Sequence, residues 1–176
     1  MAIYKKFLIK QQTYTGSNYV NVGSAIDTQT KFRVVCQEFP FKYLPDVKEL
    51  PKRDWNDESG EDVYMPTDGV KFKPYDLEAT FVYVGTASTI KDDLRKFIDF
   101  IYGRIDANGN AQSRGIMLAI YDEYTETGRQ GVYVLSVDNT LYWNVDYDTD
   151  AIATFKVKFR VTDPVTRLNS NLAIEA

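Results

Sequence analysis

Residues Ala153 to Val161 alternate without a break: Phe155, Val157, Phe159 and Val161 fall on one side, Lys156, Lys158 and Arg160 on the other. Successive strand side chains point to opposite faces, so this run predicts an antiparallel strand with one face in a core and one in water. Asp163-Pro164 stops it, because proline has no amide to offer a neighbouring strand. The chain is thereby committed to a sheet with a buried face, and the rest of the sequence must supply partners for that strand.

Candidate partners follow from the same period. Gly115 to Tyr124 reads as a strand whose centre, Ile116 to Tyr121, is apolar on both faces and therefore central. Thr125 to Gln130, with Gly128, reads as a turn, and Gly131 to Asp138 as the return strand. Leu141, Trp143, Val145 and Tyr147 alternate with polar residues, a further strand. Leu77 to Val84 places Leu77, Ala79, Phe81 and Tyr83 on one face and ends at Gly85. Phe32 to Phe39 does the same with Phe32, Val34 and Cys36.

One helix is predicted, over about residues 89 to 103. Thr89 followed by Asp92 has capping-box spacing, with Ser88 an alternative cap. Ile90, Leu94, Phe97, Ile98, Ile101 and Ile105 make one apolar stripe, and Lys91, Asp92, Arg95, Lys96 and Asp99 lie off it. Asp106-Ala107-Asn108-Gly109-Asn110 supplies turn residues to close it. The expected fold is mainly β (α+β): a single domain over residues 1–176, an antiparallel β-sandwich or split barrel with one packed α-helix. Phe81, Leu94, Phe97, Ile101, Leu118, Ile120, Phe155, Val157 and Phe159 are the expected core. The tail from Val165 to Ala176 is expected to be loosely ordered.

Between these elements, Pro40 to Pro74 reads as a long irregular loop. It holds Pro40, Pro45, Pro51, Pro66 and Pro74, the glycines Gly60 and Gly69, and the charged run Lys52 to Glu58. Prolines fix φ and remove donors, which excludes a central strand or a helix. Loops of this length in a compact domain tend to be functional or disordered. Trp55, Tyr64 and Met65 are residue types that anchor interfaces, so the loop is expected to dock on something. The row Lys156, Lys158 and Arg160 is a candidate contact for an acidic neighbour such as Asp57-Glu58 or Glu61-Asp62; a solvated edge accounts for those charges equally well.

The residue inventory excludes much chemistry. The absence of histidine removes the commonest general base and the commonest zinc ligand. Cys36, the single cysteine, sits in an apolar strand pattern and reads as an inert buried thiol. Asp146 to Asp150 resembles the start of a calcium loop, but Ala151 stands where glycine is needed and Val157 where a bidentate glutamate is needed. Asp106 to Asn110 fails in the same way, with Ala111 and Met117 at those places. Asp122-Glu123 could supply one carboxylate of a hydrolytic pair, with no second acid indicated. No phosphate-binding loop is present. No cofactor, no metal and no enzymatic activity are expected. A net charge of −4, from 21 basic and 25 acidic residues, argues against clamping duplex DNA. Phe7-Leu8-Ile9 is too short for a signal-peptide core or a membrane span.

The order of elements resembles the tail-tube fold of long-tailed bacteriophages, and especially the ring domain of distal tail proteins. The residues that carry the resemblance run from the long loop re-entering at Gly69 to Lys73, through Tyr75 to Phe81 and the helix Ile90 to Tyr102, to the hairpin Ile116 to Val137. They end in Ala153 to Pro164, whose aromatic-x-x-x-Asp-Pro close is Phe159 to Pro164. The resemblance covers roughly Phe32 to Pro164. It implies a structural protein of the virion tail, assembled in the bacterial cytoplasm as a hexameric ring with other tail proteins. DNA would pass through the lumen unbound, and the long loop would reach a neighbouring subunit. Two other classes remain: a monomeric β-sandwich binding module that stacks sugars on Tyr and Trp, and a carboxylate hydrolase.

Overall fold

The computed structural model describes residues 5–39, 41–43, 45–57, 59–138, 142–145 and 150–175, with backbone alone for 142–145 and 150. In chain order the elements are β1 (Phe7–Thr15), β2 (Asn18–Asp27), α1 (Thr28–Phe32), β3 (Val34–Glu38), β4 (Lys52–Asp54), β5 (Glu61–Val63) and β6 (Tyr75–Thr86). Then come α2 (Ile90–Ile101), β7 (Met117–Asp122), β8 (Thr127–Val137), β9 (Tyr142–Val145), β10 (Asp150–Val161) and β11 (Arg167–Leu168). Nine strands form one antiparallel sheet in the order β2-β1-β7-β8-β10-β6-β3, with β9 added to β10 and β11 to β8.

This sheet cannot be flat. Phe7 on β1 and Phe81 on β6 are separated by three strands, about 19 Å at ordinary strand spacing. Their ring centroids are nevertheless 5.4 Å apart, and Phe7 meets Phe39 at 5.0 Å. The sheet therefore curls until its two halves face each other, a split barrel, one of the two architectures expected from the sequence. Helix α2 closes the opening: Ile90, Leu94, Phe97, Phe100 and Ile101 are buried against the inner face. All nine expected core residues lie in that one cluster.

Several details differ from the sequence reading. Strands β1 and β2 carry no clear apolar alternation. β1 runs in unbroken register along β7, so Gln11 lies on the face of Phe7 and Ile9 and Gln12 on the opposite face; both are buried, and polar bonds satisfy them. Gln11 Nε2 donates to the carbonyls of Phe100 (2.9 Å) and Ile105 (2.8 Å), while Gln12 Nε2 donates to Asn21 Oδ1 (2.9 Å). Gln11 thereby adds a side-chain bond to the Phe100 carbonyl at the end of α2, which also accepts from Gly103 N at 3.0 Å. Phe32 belongs to the short helix α1 rather than to a strand, and packs on Phe97 and Phe100. Helix α2 stops at Ile101, ahead of Gly103 with its φ of +74°, and Thr89 makes no side-chain cap bond. The hairpin turn is residues 123–126, not Thr125 to Gln130, because Asp122 accepts from Thr125 N and Thr125 Oγ1. The tail is packed: Leu168 and Leu172 are buried with Ala119 and Tyr121 on the outer face of β7. That is why β7 reads as apolar on both faces. The expected strand Leu141 to Tyr147 appears as β9, with Leu141, Tyr147 and the calcium-like Asp146 to Thr149 outside the described residues.

Two predictions arise from the end of β10. Gly131 has a φ of +63°, and a Cβ there would stand 2.6 Å from Thr162 Oγ1 and from the Tyr19 ring. Gly131→Ala combines left-handed backbone strain with overpacking, and a loss of about 2–3 kcal/mol is expected in a urea titration. Asp163, the acid of the Asp-Pro close, accepts from Gln130 Nε2 (2.7 Å), Thr166 N (3.1 Å) and Val165 N (3.2 Å). Burial pushes its carboxyl up, but the bonds from Gln130, Thr166 and Val165 outweigh burial and leave it below its ordinary 3.8. Asp163→Ala is expected to cost about 1–2 kcal/mol at neutral pH. A depressed folded pKa means this contribution is full above the unfolded value and lost as pH falls through the folded one. The gap between wild type and variant should therefore narrow in titrations below about pH 3.8.

Candidate interaction surface

The stretch 45–73 is a two-stranded ribbon rather than an irregular loop. At its base Val47 bridges Phe72, Lys48 N donates to Lys71 O (2.7 Å) and Lys73 N donates to Asp46 O (2.7 Å). Further out β4 pairs with β5, Arg53 opposite Asp62, and Tyr64 N donates to Pro51 O (2.9 Å). The prolines flank these short strands and so leave their ladder intact. β4 and β5 form a sheet of their own, apart from the barrel. No described residue from 41 to 74 is buried. The ribbon is an arm whose two strands pair with each other and not with the barrel sheet.

Its tip carries the residues singled out from the sequence. Trp55, Tyr64 and Met65 are 43%, 66% and 56% exposed. The Arg53 guanidinium stacks over the Trp55 ring at 4.5 Å, and Trp55 Nε1 donates to Asp62 Oδ2 (3.3 Å). Lys52 pairs with Glu61 across the strands at 3.1 Å. An open concavity of about 440 Å³ runs along this side between Pro51, Trp55 and Tyr64. Aromatic faces, an arginine and exposed apolar surface stand together on it, a composition suited to protein contact.

The structure does not bring Lys156, Lys158 and Arg160 to the arm. Their acidic partners are in the same sheet. Lys156 Nζ lies 2.8 Å from Glu78, and Asp76 takes Arg160 (2.8 Å) and Lys158 (3.8 Å). These are direct and diagonal cross-strand pairs of β10 with β6. The Arg160 hydrogen bond holds the Asp76 carboxyl below its usual range, and Glu78 pushes the Lys156 ammonium up. The row is a charge zipper on the outer face, so it needs no outside acid. Asp76 and Glu78 alternate with Tyr75, Leu77 and Ala79 and so share the outer face of β6, but only the β10–β6 register makes them the partners of this row.

Of the residues weighed for chemistry, Asp122 is buried and caps its own turn, receiving Thr125 N at 3.1 Å. Cys36, expected to be buried, is half-buried on β3; burial against the core pushes its thiol up, and Asp122 adds to the effect. Among the described residues no cluster of three acids or cysteines is placed to hold a metal. No described helix is long and apolar enough to cross a membrane.

No family model and no curated protein sequence matches the chain. Among solved structures it is similar to the Dit (gp 19.1) protein of SPP1, described as a paradigm of hub adsorption apparatus in phages infecting Gram-positive bacteria. The TM-score is 0.50 at 12% identity, over 93% of this chain and 52% of that one. The likeness is therefore one of fold: almost the whole chain shares the architecture of a phage hub protein, while spanning about half of that protein's length.

Proposed function

We propose that the chain is a structural component of a bacteriophage tail that assembles with copies of itself into a six-fold ring around a DNA-conducting lumen. It has no enzymatic turnover and works in the virion, bound to other tail proteins. One observation carries this reading: the arm from 45 to 73 is ordered into paired strands with none of its described residues buried. Fixing each backbone residue costs about 1–2 kcal/mol of conformational entropy, and a lone two-stranded ribbon is marginal in water. A neighbouring subunit seated on Trp55, Tyr64 and Met65 supplies the burial the arm lacks. The shared fold with a phage hub protein and the acidic balance of the chain support the same reading, since an acidic lumen does not grip DNA. Lys156, Lys158 and Arg160, paired within their own sheet, are at most a rim of the contact. Electron microscopy of the purified protein, alone and with the products of neighbouring tail genes, tests the reading. Annular particles with a central hole support it; isolated globules in both samples refute it.

A monomeric carbohydrate-binding module is the second reading, favoured by the exposed Trp55 and Tyr64 beside an open groove. It requires saturable binding to a glycan that Trp55→Ala abolishes while the protein stays monomeric.

A further inference from the structure

Arg129, on β8, is the largest side chain wholly withdrawn from water among the described residues, at 1% exposure. A guanidinium has five donors and always carries its charge, so a buried one ordinarily faces a carboxylate. Here one donor is used in a poor exchange: Nη1 bonds the carbonyl of the preceding residue, Gly128, at 3.1 Å. Nε has no well-aligned acceptor, and the buried Tyr75 hydroxyl, although within reach of the Arg129 guanidinium and the Lys42 backbone, makes no well-aligned bond of its own. The two groups are neighbours. Burial pushes the Tyr75 hydroxyl up, and Arg129 and Lys42 act against burial from close by. No described carboxylate forms an ion pair with Arg129.

The surroundings add positive charge. Arg167 on β11 lies directly opposite Arg129 in register, so both side chains leave the sheet on the same face. Its guanidinium stands 4.8 Å from the Tyr43 ring. Lys42 Nζ lies 5.9 Å over the Tyr75 ring and reaches out to the exposed Asp46 at 3.2 Å. A buried cation and a hydroxyl beside it thus lie near Lys42, with Arg167 opposite in register, and no described carboxylate pairs with Arg129.

We propose that Arg129 and Tyr75 form a receptor site for a carboxylate supplied from outside the chain, with Lys42 and Arg167 at its mouth. A carboxylate is planar and accepts two parallel bonds from one guanidinium fork, while the Tyr75 hydroxyl donates a third. The group is either a small free carboxylate or an Asp or Glu side chain of a second copy of this chain. The site stands whether or not the chain forms rings.

Acetate is the probe, with sodium chloride at equal ionic strength as control, on wild type, Arg129→Met and Tyr75→Phe. A free carboxylate is the source if acetate raises the wild-type melting temperature saturably and the half-saturating concentration rises at least tenfold in the variants. A second copy is the source if acetate leaves the melting temperature unchanged but self-association in sedimentation weakens at least tenfold in the variants. The proposal is overturned if acetate acts as chloride does on all three proteins and the variants associate as wild type does. If Arg129→Met does not fold, Tyr75→Phe and wild type decide alone: equal acetate response and equal association overturn it.

Discussion

Phe97→Ala is expected to remove about 3–5 kcal/mol of folding free energy, the cost of emptying a core aromatic site. Phe97 is fully buried on the inward face of α2. Its ring meets Phe81 at 5.4 Å, Phe32 at 5.8 Å and Phe155 at 5.9 Å. It therefore joins both helices to the adjacent strands β6 and β10. Three of its neighbours are rings on rigid elements, so the space cannot collapse by rotating a flexible side chain, and the cavity remains. The loss appears as a lower denaturant midpoint with little change in slope. A loss well below 1 kcal/mol would show that α2 does not close the barrel.

Deleting Lys52 to Asp62 is expected to leave the fold intact and abolish assembly. Every described residue in that segment is exposed, so none contributes to the core. Pro51 and Tyr64 are already joined by the 2.9 Å bond across the ribbon, so the cut shortens the arm where its two sides meet. Stability should change by no more than about 0.5 kcal/mol, the usual range for surface changes. Trp55 is lost with the segment, and Tyr64 and Met65 lose the ribbon that presents them. Unaltered assembly of the deleted protein would place the subunit contact elsewhere.

The elements that could be read from the sequence are those whose burial is one-sided and regular. β10 and α2 announce themselves because Phe155 to Val161 and Ile90 to Ile101 repeat at the period of their own backbone. β1 hides because it buries two polar residues: Gln11 donates to the carbonyls of Phe100 and Ile105, and Gln12 donates to Asn21 and accepts from Gly131 N, contacts mostly distant in sequence. β2 hides because it is an edge strand with mostly exposed residues. The arm was recognisable as unusual from its prolines, but β4 and β5 are too short and polar to show a period. Trp55, Tyr64 and Met65 stand out in the sequence as interface residue types, and the structure leaves them exposed on the arm. The pairing of Lys156, Lys158 and Arg160 with Glu78 and Asp76 depends on β10–β6 register, which one strand read alone does not carry. Arg129 gave no signal at all: one arginine in a strand is ordinarily a solvated side chain, and only the folded sheet shows it buried and without a carboxylate.

The most direct test of ring formation is the mass of the particle in solution, measured by light scattering across a range of protein concentrations, with and without the neighbouring tail proteins. A species of six times the 20.2 kDa chain is expected, absent from the Lys52–Asp62 deletion. A mass that stays at 20.2 kDa under every condition would contradict the ring and leave the monomeric binding module in its place.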